Sequence, residues 1–417
     1  MSEASVETPL ARNRNYNILW SSLLFSELNN AILAIAFPLL VLATSGSVAE
    51  LGVVLTVLAA ATMLATVPAG VVADRWNRKR VMLVCQAVRI VSLVVGCLVV
   101  LRGLDPFPYL VAMALLEGLA GSVFAPAEDA ALPQVVPTSQ LSQAIARNTA
   151  RPFVANLLGP VAAGLLFGVH HVLPFLLGAA MLFVSFAALL FLSLPYRAEV
   201  EEDEEAGVGA DLVEGFRWVL RHPVIRATMV WLVFTQLFFS ALVLIVLTAS
   251  GEYDLAPGVT GVMMAFLGAG GILGAVFASK MVDLLPSSVI VVGFTMVTAA
   301  MTAVMALVPP GIPLGLVLFA TAFFIPVTAT TVMTYQMVVT PDELRGRLSG
   351  IVGLGAEGAS ALGPLAGTAM VVLAGGRSTT SLLVCGACLA VVAVGSLLSP
   401  TLRRFPSVRE TEDAPHP

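Results

Sequence analysis

Two carboxylates and one charged string are the residues of this chain whose types and places could do chemistry. Glu27 and Glu117 each stand about ten residues inside a long apolar run. At 1.5 Å per helical residue that is ~15 Å deep, the middle of a hydrocarbon layer ~30 Å thick. A carboxylate there costs a few kcal/mol or more unless it is protonated, paired or wet, so the position suits a proton carrier. Ser26 and Asn30 share a helix face beside Glu27, and Gly118, Ala120 and Gly121 follow Glu117. The string Asp74-Arg75-Trp76-Asn77-Arg78-Lys79-Arg80 puts five charges into seven residues between two apolar runs, where its chemistry is ion pairing at a water-facing loop.

Other ionisable groups read as structure. Glu128 and Asp129 can pair with Arg147 or Arg151, and Glu357 lies among glycines and alanines as a packing residue. Adjacent His170 and His171 diverge by about 100° on a helix, so no metal site is expected. Cys385 and Cys388 lack a second ligand pair and read as small packing residues, with Cys85 and Cys97 alike inside apolar runs. The phosphate-binding pattern G-x-x-x-x-G-K-[ST] is absent, as is any catalytic set. The expectation is a chain that is not an enzyme, needs no cofactor and is driven by an ion gradient, with protons as the coupling ion.

The elements that must hold these residues follow from composition. The 417 residues are 58% hydrophobic and 11% charged, with mean hydropathy +0.95. Soluble domains carry about a quarter charged residues. Runs of the ~20 residues needed to cross a bilayer as a helix fall at 17–43, 50–72, 81–101, 107–131, 145–169, 172–194, 223–249, 257–284, 287–308, 312–338, 348–374 and 378–400. The fold class expected is therefore an all-α membrane protein of twelve transmembrane helices. With the N-terminus inside, nearly all arginines and lysines near helix ends, Arg12 to Arg409, fall in cytoplasmic segments, and only Arg102 and Arg377 fall outside. Both termini are then cytoplasmic. The first sixteen residues lack the apolar core of a secretory leader, so no cleavage is expected. Only two of the 21 basic residues are lysine, a usage that fits a GC-rich bacterial genome and hence a bacterial inner membrane.

The formal charge of −5 is concentrated in 199–205, a solvated linker rather than a partner signal, and no nucleic-acid partner is expected. The chain also repeats. Pro137 and Pro341 precede Gly159-Pro160 and Gly363-Pro364 at a shared offset of 204, and Asp74 matches Asp283 at 209. Two six-helix halves follow, 1–194 and 223–400, joined by a linker at 195–222 and ended by a tail at 401–417. Within and beyond the linker, Leu212, Phe216, Val219 and Leu220 form the apolar stripe of an amphipathic helix over 211–226, fit for the headgroup plane.

With Gly70 in front, the charged string reads G-x-x-x-D-R-x-x-R-K-R and resembles the signature loop between helices 2 and 3 of major facilitator superfamily transporters. The resemblance covers nearly the whole chain. It implies that Gly70, Asp74, Arg75, Arg78, Lys79 and Arg80 form a gate on the cytoplasmic side, facing Arg345 and Arg347 at the start of span 11. It implies that spans 1, 4, 7 and 10 line a central cavity, with Glu27 and Glu117 as proton-coupling residues and Asn30, Trp231, Gln236, Tyr335 and Gln336 as candidates for contact with substrate. Many members carry an arginine in this part of span 4, where this chain has Glu117. Gly159-Pro160-Val161-Ala162-Ala163-Gly164 is similar to the antiporter element of span 5. Gly159, Pro160 and Gly164 match it, and Ala163 departs from it. Glu214 to Pro223, Phe124 to Ala127 and Pro341 to Arg347 resemble a subgroup that includes macrolide-efflux and enterobactin-export proteins. The reading expected is a monomeric, proton-coupled exporter of drug-like or secondary-metabolite molecules. A siderophore exporter is the near alternative; a nutrient importer and a non-transporting sensor are the distant ones.

Overall fold

The computed structural model describes residues 9–194, 216–340, 342–403 and 405. Among them there is no strand, and the apolar runs are helices throughout. This is the outcome lipid enforces, because a helix satisfies its own backbone donors and acceptors where no water can. The first set comprises α1 (Arg14–Thr44), α2 (Val48–Arg75), α3 (Arg78–Leu101), α4 (Phe107–Val135), α5 (Thr138–Val169) and α6 (Leu173–Leu190). The second comprises α7 (Pro223–Glu252), α8 (Pro257–Leu284), α9 (Phe294–Met305), α10 (Ile312–Val339), α11 (Asp342–Leu373) and α12 (Ser378–Leu398). A π turn, Val289–Gly293, leads into α9. Ten helices are long and apolar enough to cross a membrane, and two shorter apolar stretches, Val154–Val169 and Val289–Met305, accompany them.

The chain divides into two compact units, residues 1–44 with 57–200 and residues 45–56 with 201–417. Each is built on the same plan. In the first, α1 packs on α5 and α6 while α3 packs on α4 and α6. In the second, α7 packs on α11 and α12 while α9 packs on α10 and α12. The repeated glycines explain the match. A Cβ at Gly159 would strike Ala31 of α1, and a Cβ at Gly363 would strike Ser240 of α7. Each glycine therefore sets the closest approach of its helix to the first helix of its own unit. Such small-residue contacts replace the hydrophobic drive that lipid removes. Pro160 and Pro364 follow inside α5 and α11, where a missing N–H is tolerated because neighbouring helices cover the break.

Of the expected linker helix, 216–221 is described and helical, and 211–215 lie outside the described residues. Val219 is buried against Ile225, Leu348 and Ile351, while Phe216 and Leu220 are exposed.

Candidate functional site

α3 begins where Asn77 caps it, its side chain accepting from the Arg80 N–H at 3.1 Å. Along this helix Val84, Val88, Val91 and Val95 are exposed while Gln86, Arg89 and Ser92 are buried. Polar spacing of three residues turns these side chains inward and leaves valine to the lipid. Arg89 is fully buried near the middle of the helix. Its Nε donates to Oε2 of Glu117 on α4 at 2.8 Å, and both side chains are closed to solvent. Nη1 donates to Ser26 Oγ at 2.6 Å and Nη2 donates to Asn30 Oδ1, both on α1. Asn29, also on α1 and fully buried, donates from Nδ2 to the same Glu117 oxygen at 3.3 Å. A guanidinium and a carboxylate in hydrocarbon cost several kcal/mol each to dehydrate, and only close pairing with full hydrogen bonding offsets that. Three helices supply the pairing at Oε2 of Glu117, while its Oε1 is buried without a hydrogen-bond partner.

Beside Ser26 on α1 a second group meets. Arg151 of α5 lies 3.5 Å from Glu128 of α4 and 4.0 Å from Glu27. Arg151 and Glu128 are buried, whereas the Glu27 side chain keeps 20% exposure. Asn30 is exposed as well, so α1 carries both groups to a wettable face. Deeper between the helices, Ser22 and Ser185 hydroxyls pair at 2.7 Å and Gln86 Nε2 donates to Ser185 Oγ at 2.7 Å.

The basic string has described side chains at Arg78, Lys79 and Arg80. Arg78 donates to the Ala130 carbonyl of α4 at 2.7 Å. Lys79 Nζ donates to the carbonyls of Leu190 and Leu192 at the end of α6, at 2.8 and 2.7 Å. A cation at a helix C-terminus satisfies orphan carbonyls and opposes the dipole. Asn13 and Asn15 complete this end, donating to Val135 and Ser193 carbonyls at 2.6 and 2.9 Å. Arg80 is exposed. The side chains of Asp74, Arg75, Arg345 and Arg347, and the surroundings of Gly70, lie outside the described residues. Gly159, Pro160 and Gly164 are buried on α5.

The second unit holds the other candidates. Trp231 is buried with Val291, Val292, Val332, Tyr335, Leu402 and Phe405, and its Nε1 donates to Thr295 Oγ1 at 2.9 Å. Tyr335 packs on the Phe405 ring at 4.7 Å, and Gln336 donates to Thr228 Oγ1 at 3.2 Å. Gln236 and Glu357 are half-buried. The sequence reading missed Arg89. Its signal was present: Arg89 is the only charge between Val81 and Leu101, and an ionisable residue inside a span marks a functional site by default.

Comparisons with known proteins place this geometry. The model of the family described as "Transmembrane secretion effector" matches residues 4–416. The chain is 31% identical over 360 residues to the multidrug efflux pump Tap of Mycolicibacterium fortuitum, covering 80% of this chain and 83% of that one. It is 26% identical over 385 residues to the enterobactin exporter EntS of Escherichia coli O1:K1 / APEC, covering 90% and 89%. Its fold is similar to that of a bacterial homologue of the human lysosomal transporter Spinster, with a TM-score of 0.74, 14% identity, and 97% and 99% of the two chains covered.

Proposed function

Since this chain is a member of the major facilitator superfamily, within its transmembrane secretion effector family, we propose that it is a proton-driven exporter of bulky amphipathic molecules. In this reading twelve spans in two six-helix halves alternate access across a bacterial inner membrane. Both termini and the basic end at Asn77 to Arg80 face the cytoplasm, and a single chain suffices.

One observation carries the coupling: the buried Arg89–Glu117 pair, with Ser26 and Asn30 holding the arginine from α1. A proton on Glu117 removes the negative partner while α1 retains Arg89. The balance of contacts between α1, α3 and α4 then differs between the two protonation states. A ligand shifts a conformational equilibrium only through such a difference, and here the ligand is the proton. Glu27, partly open to solvent beside Arg151, is suited to pass protons or to meet a cationic substrate. The relatives named as a multidrug efflux pump and an enterobactin exporter favour export over import. They leave two substrate chemistries in play, lipophilic cations and catecholate siderophores.

The test is flux in inside-out vesicles from cells that make the protein, with ethidium and enterobactin as the two probes. Accumulation of one probe should follow an imposed proton gradient and collapse with a protonophore. Accumulation that ignores the protonophore would remove the proton from this reading.

A further inference from the structure

Asn29 is fully buried, and its amide is half used. Nδ2 donates to Glu117 Oε2, while Oδ1 has no hydrogen-bond donor. Buried acceptors are nearly always satisfied, so an orphan of this kind needs an explanation. Oδ1 faces Gly178 of α6, where a Cβ would strike it. The absence of a side chain at Gly178 makes the room in which either end of the amide fits.

An amide is the one neutral side-chain group with a donor face and an acceptor face exchanged by a half-turn. A carboxylate accepts only, whereas a carboxylic acid must donate its proton to something. We propose that Asn29 is a positioning residue serving both protonation states of Glu117, donating from Nδ2 to the carboxylate and accepting at Oδ1 from the acid. The proton comes from a hydronium ion, which is left as water, and forms an O–H bond at Oε2. The hydrogen bond from Arg89 Nε to that oxygen is lost. Arg89 stays on Ser26 and Asn30. The Asn29 amide turns, Oδ1 takes the new O–H, and Nδ2 points to the gap at Gly178. This inference rests on the reading of Glu117 as the proton carrier and adds the group that lets the proton settle in a dry site.

Among the described residues, the titratable groups on the elements around Glu117 are Arg14, Tyr16 and Glu27 on α1, Arg78, Lys79, Arg80, Cys85, Arg89 and Cys97 on α3, Tyr109 and Glu128 on α4 itself, and Arg147 and Arg151 on α5; of these only Arg89 bonds Glu117. Where α2 approaches this part of α4 it does so through Leu58 and Ala61, and α6 meets Asn29 through Gly178. None of these last side chains can take the acid proton.

The experiment is infrared difference spectroscopy on the purified full-length protein across a pH titration, which needs no substrate. Glu117→Gln identifies the acid carbonyl band of Glu117. In the unaltered protein that band should lie in its hydrogen-bonded position, and an Asn29 amide carbonyl signal should change with the same midpoint. In Asn29→Leu the amide signal should vanish and the acid band should move to the free-acid position. Should that variant fail to fold, Gly178→Ala, which displaces the amide, should move the same band in the same sense. An acid band unmoved in these variants, or no amide signal coincident with it, overturns the role of Asn29 while leaving Glu117 as carrier. Absence of any Glu117 acid band overturns both.

Discussion

On α1 and α3, Ser22 and Gln86 meet through the hydroxyl of Ser185. At an offset of 209 residues, on α7 and α9, Trp231 and Thr295 meet directly. The two positions meet in both units, and the chemistry of the contact differs. One turn further, Arg89 of α3 corresponds to Thr298 of α9, whose hydroxyl donates to its own helix at Phe294 O. Among the described residues every buried charged side chain, Arg89, Glu117, Glu128 and Arg151, belongs to the first unit. The second buries threonine hydroxyls that return to the preceding turn, at Thr295, Thr302 and Thr331 for example. Among the described residues a shared frame thus holds fully buried charges in one unit and none in the other. Charge is costly in lipid, and a unit that needed only to stay folded would shed it.

The contrast can be broken most forcefully at Arg89. Arg89→Ala leaves Glu117 buried without its partner, which should cost about 3–5 kcal/mol. We expect a sharply lower melting temperature in detergent and no gradient-driven export. The double variant Arg89→Leu, Glu117→Leu should melt near the unaltered protein yet remain uncoupled. A double variant that still couples would show the pair to be mere structure.

The common frame is tested next. Gly159→Leu and Gly363→Leu each force a side chain into the first helix of their unit, and overpacking of this kind costs typically 1–3 kcal/mol. Comparable losses of thermal stability are expected from both. A large loss from one and none from the other would mean that the two contacts are not equivalent.

A smaller effect belongs to the neutral interior. Thr295→Val removes the acceptor for Trp231 and should lower stability by about 1 kcal/mol, with the coupling of export to the proton gradient intact. Loss of coupling there would place the chemistry in both units. Smallest is Lys79→Met, which strips a cation from the end of α6 at about 0.3–1 kcal/mol, read as a slight drop in melting temperature.

Much of the frame was legible from the sequence. Hydropathy located the helices, and Gly159 and Gly363, singled out by their shared offset, each stand at a close helix contact. Glu117 was legible as a buried carboxylate because depth alone makes it costly. Its partner was not read, because basic residues were weighed as markers of topology and Arg89 lies where topology has no use for it. The faces of Trp231, Tyr335 and Gln336 could not be read from spacing either. Phe405, beyond the last long helix, and Thr295, after a π turn, decide how they pack, and neither contact follows from the period of α7 or α10. The roles of Ser26 and Asn30 as holders of a guanidinium required the register of α1 against α3, which only packing reveals.

The claim that the charged unit does the coupling is tested most directly by Glu117→Gln in proteoliposomes, using whichever of ethidium or enterobactin the unaltered protein exports. Glutamine keeps the shape and the hydrogen bonds of the protonated acid but cannot change charge. The account predicts that exchange of labelled for unlabelled probe without a gradient persists, while accumulation driven by an imposed proton gradient disappears. Gradient-driven accumulation at the unaltered rate in Glu117→Gln would contradict it.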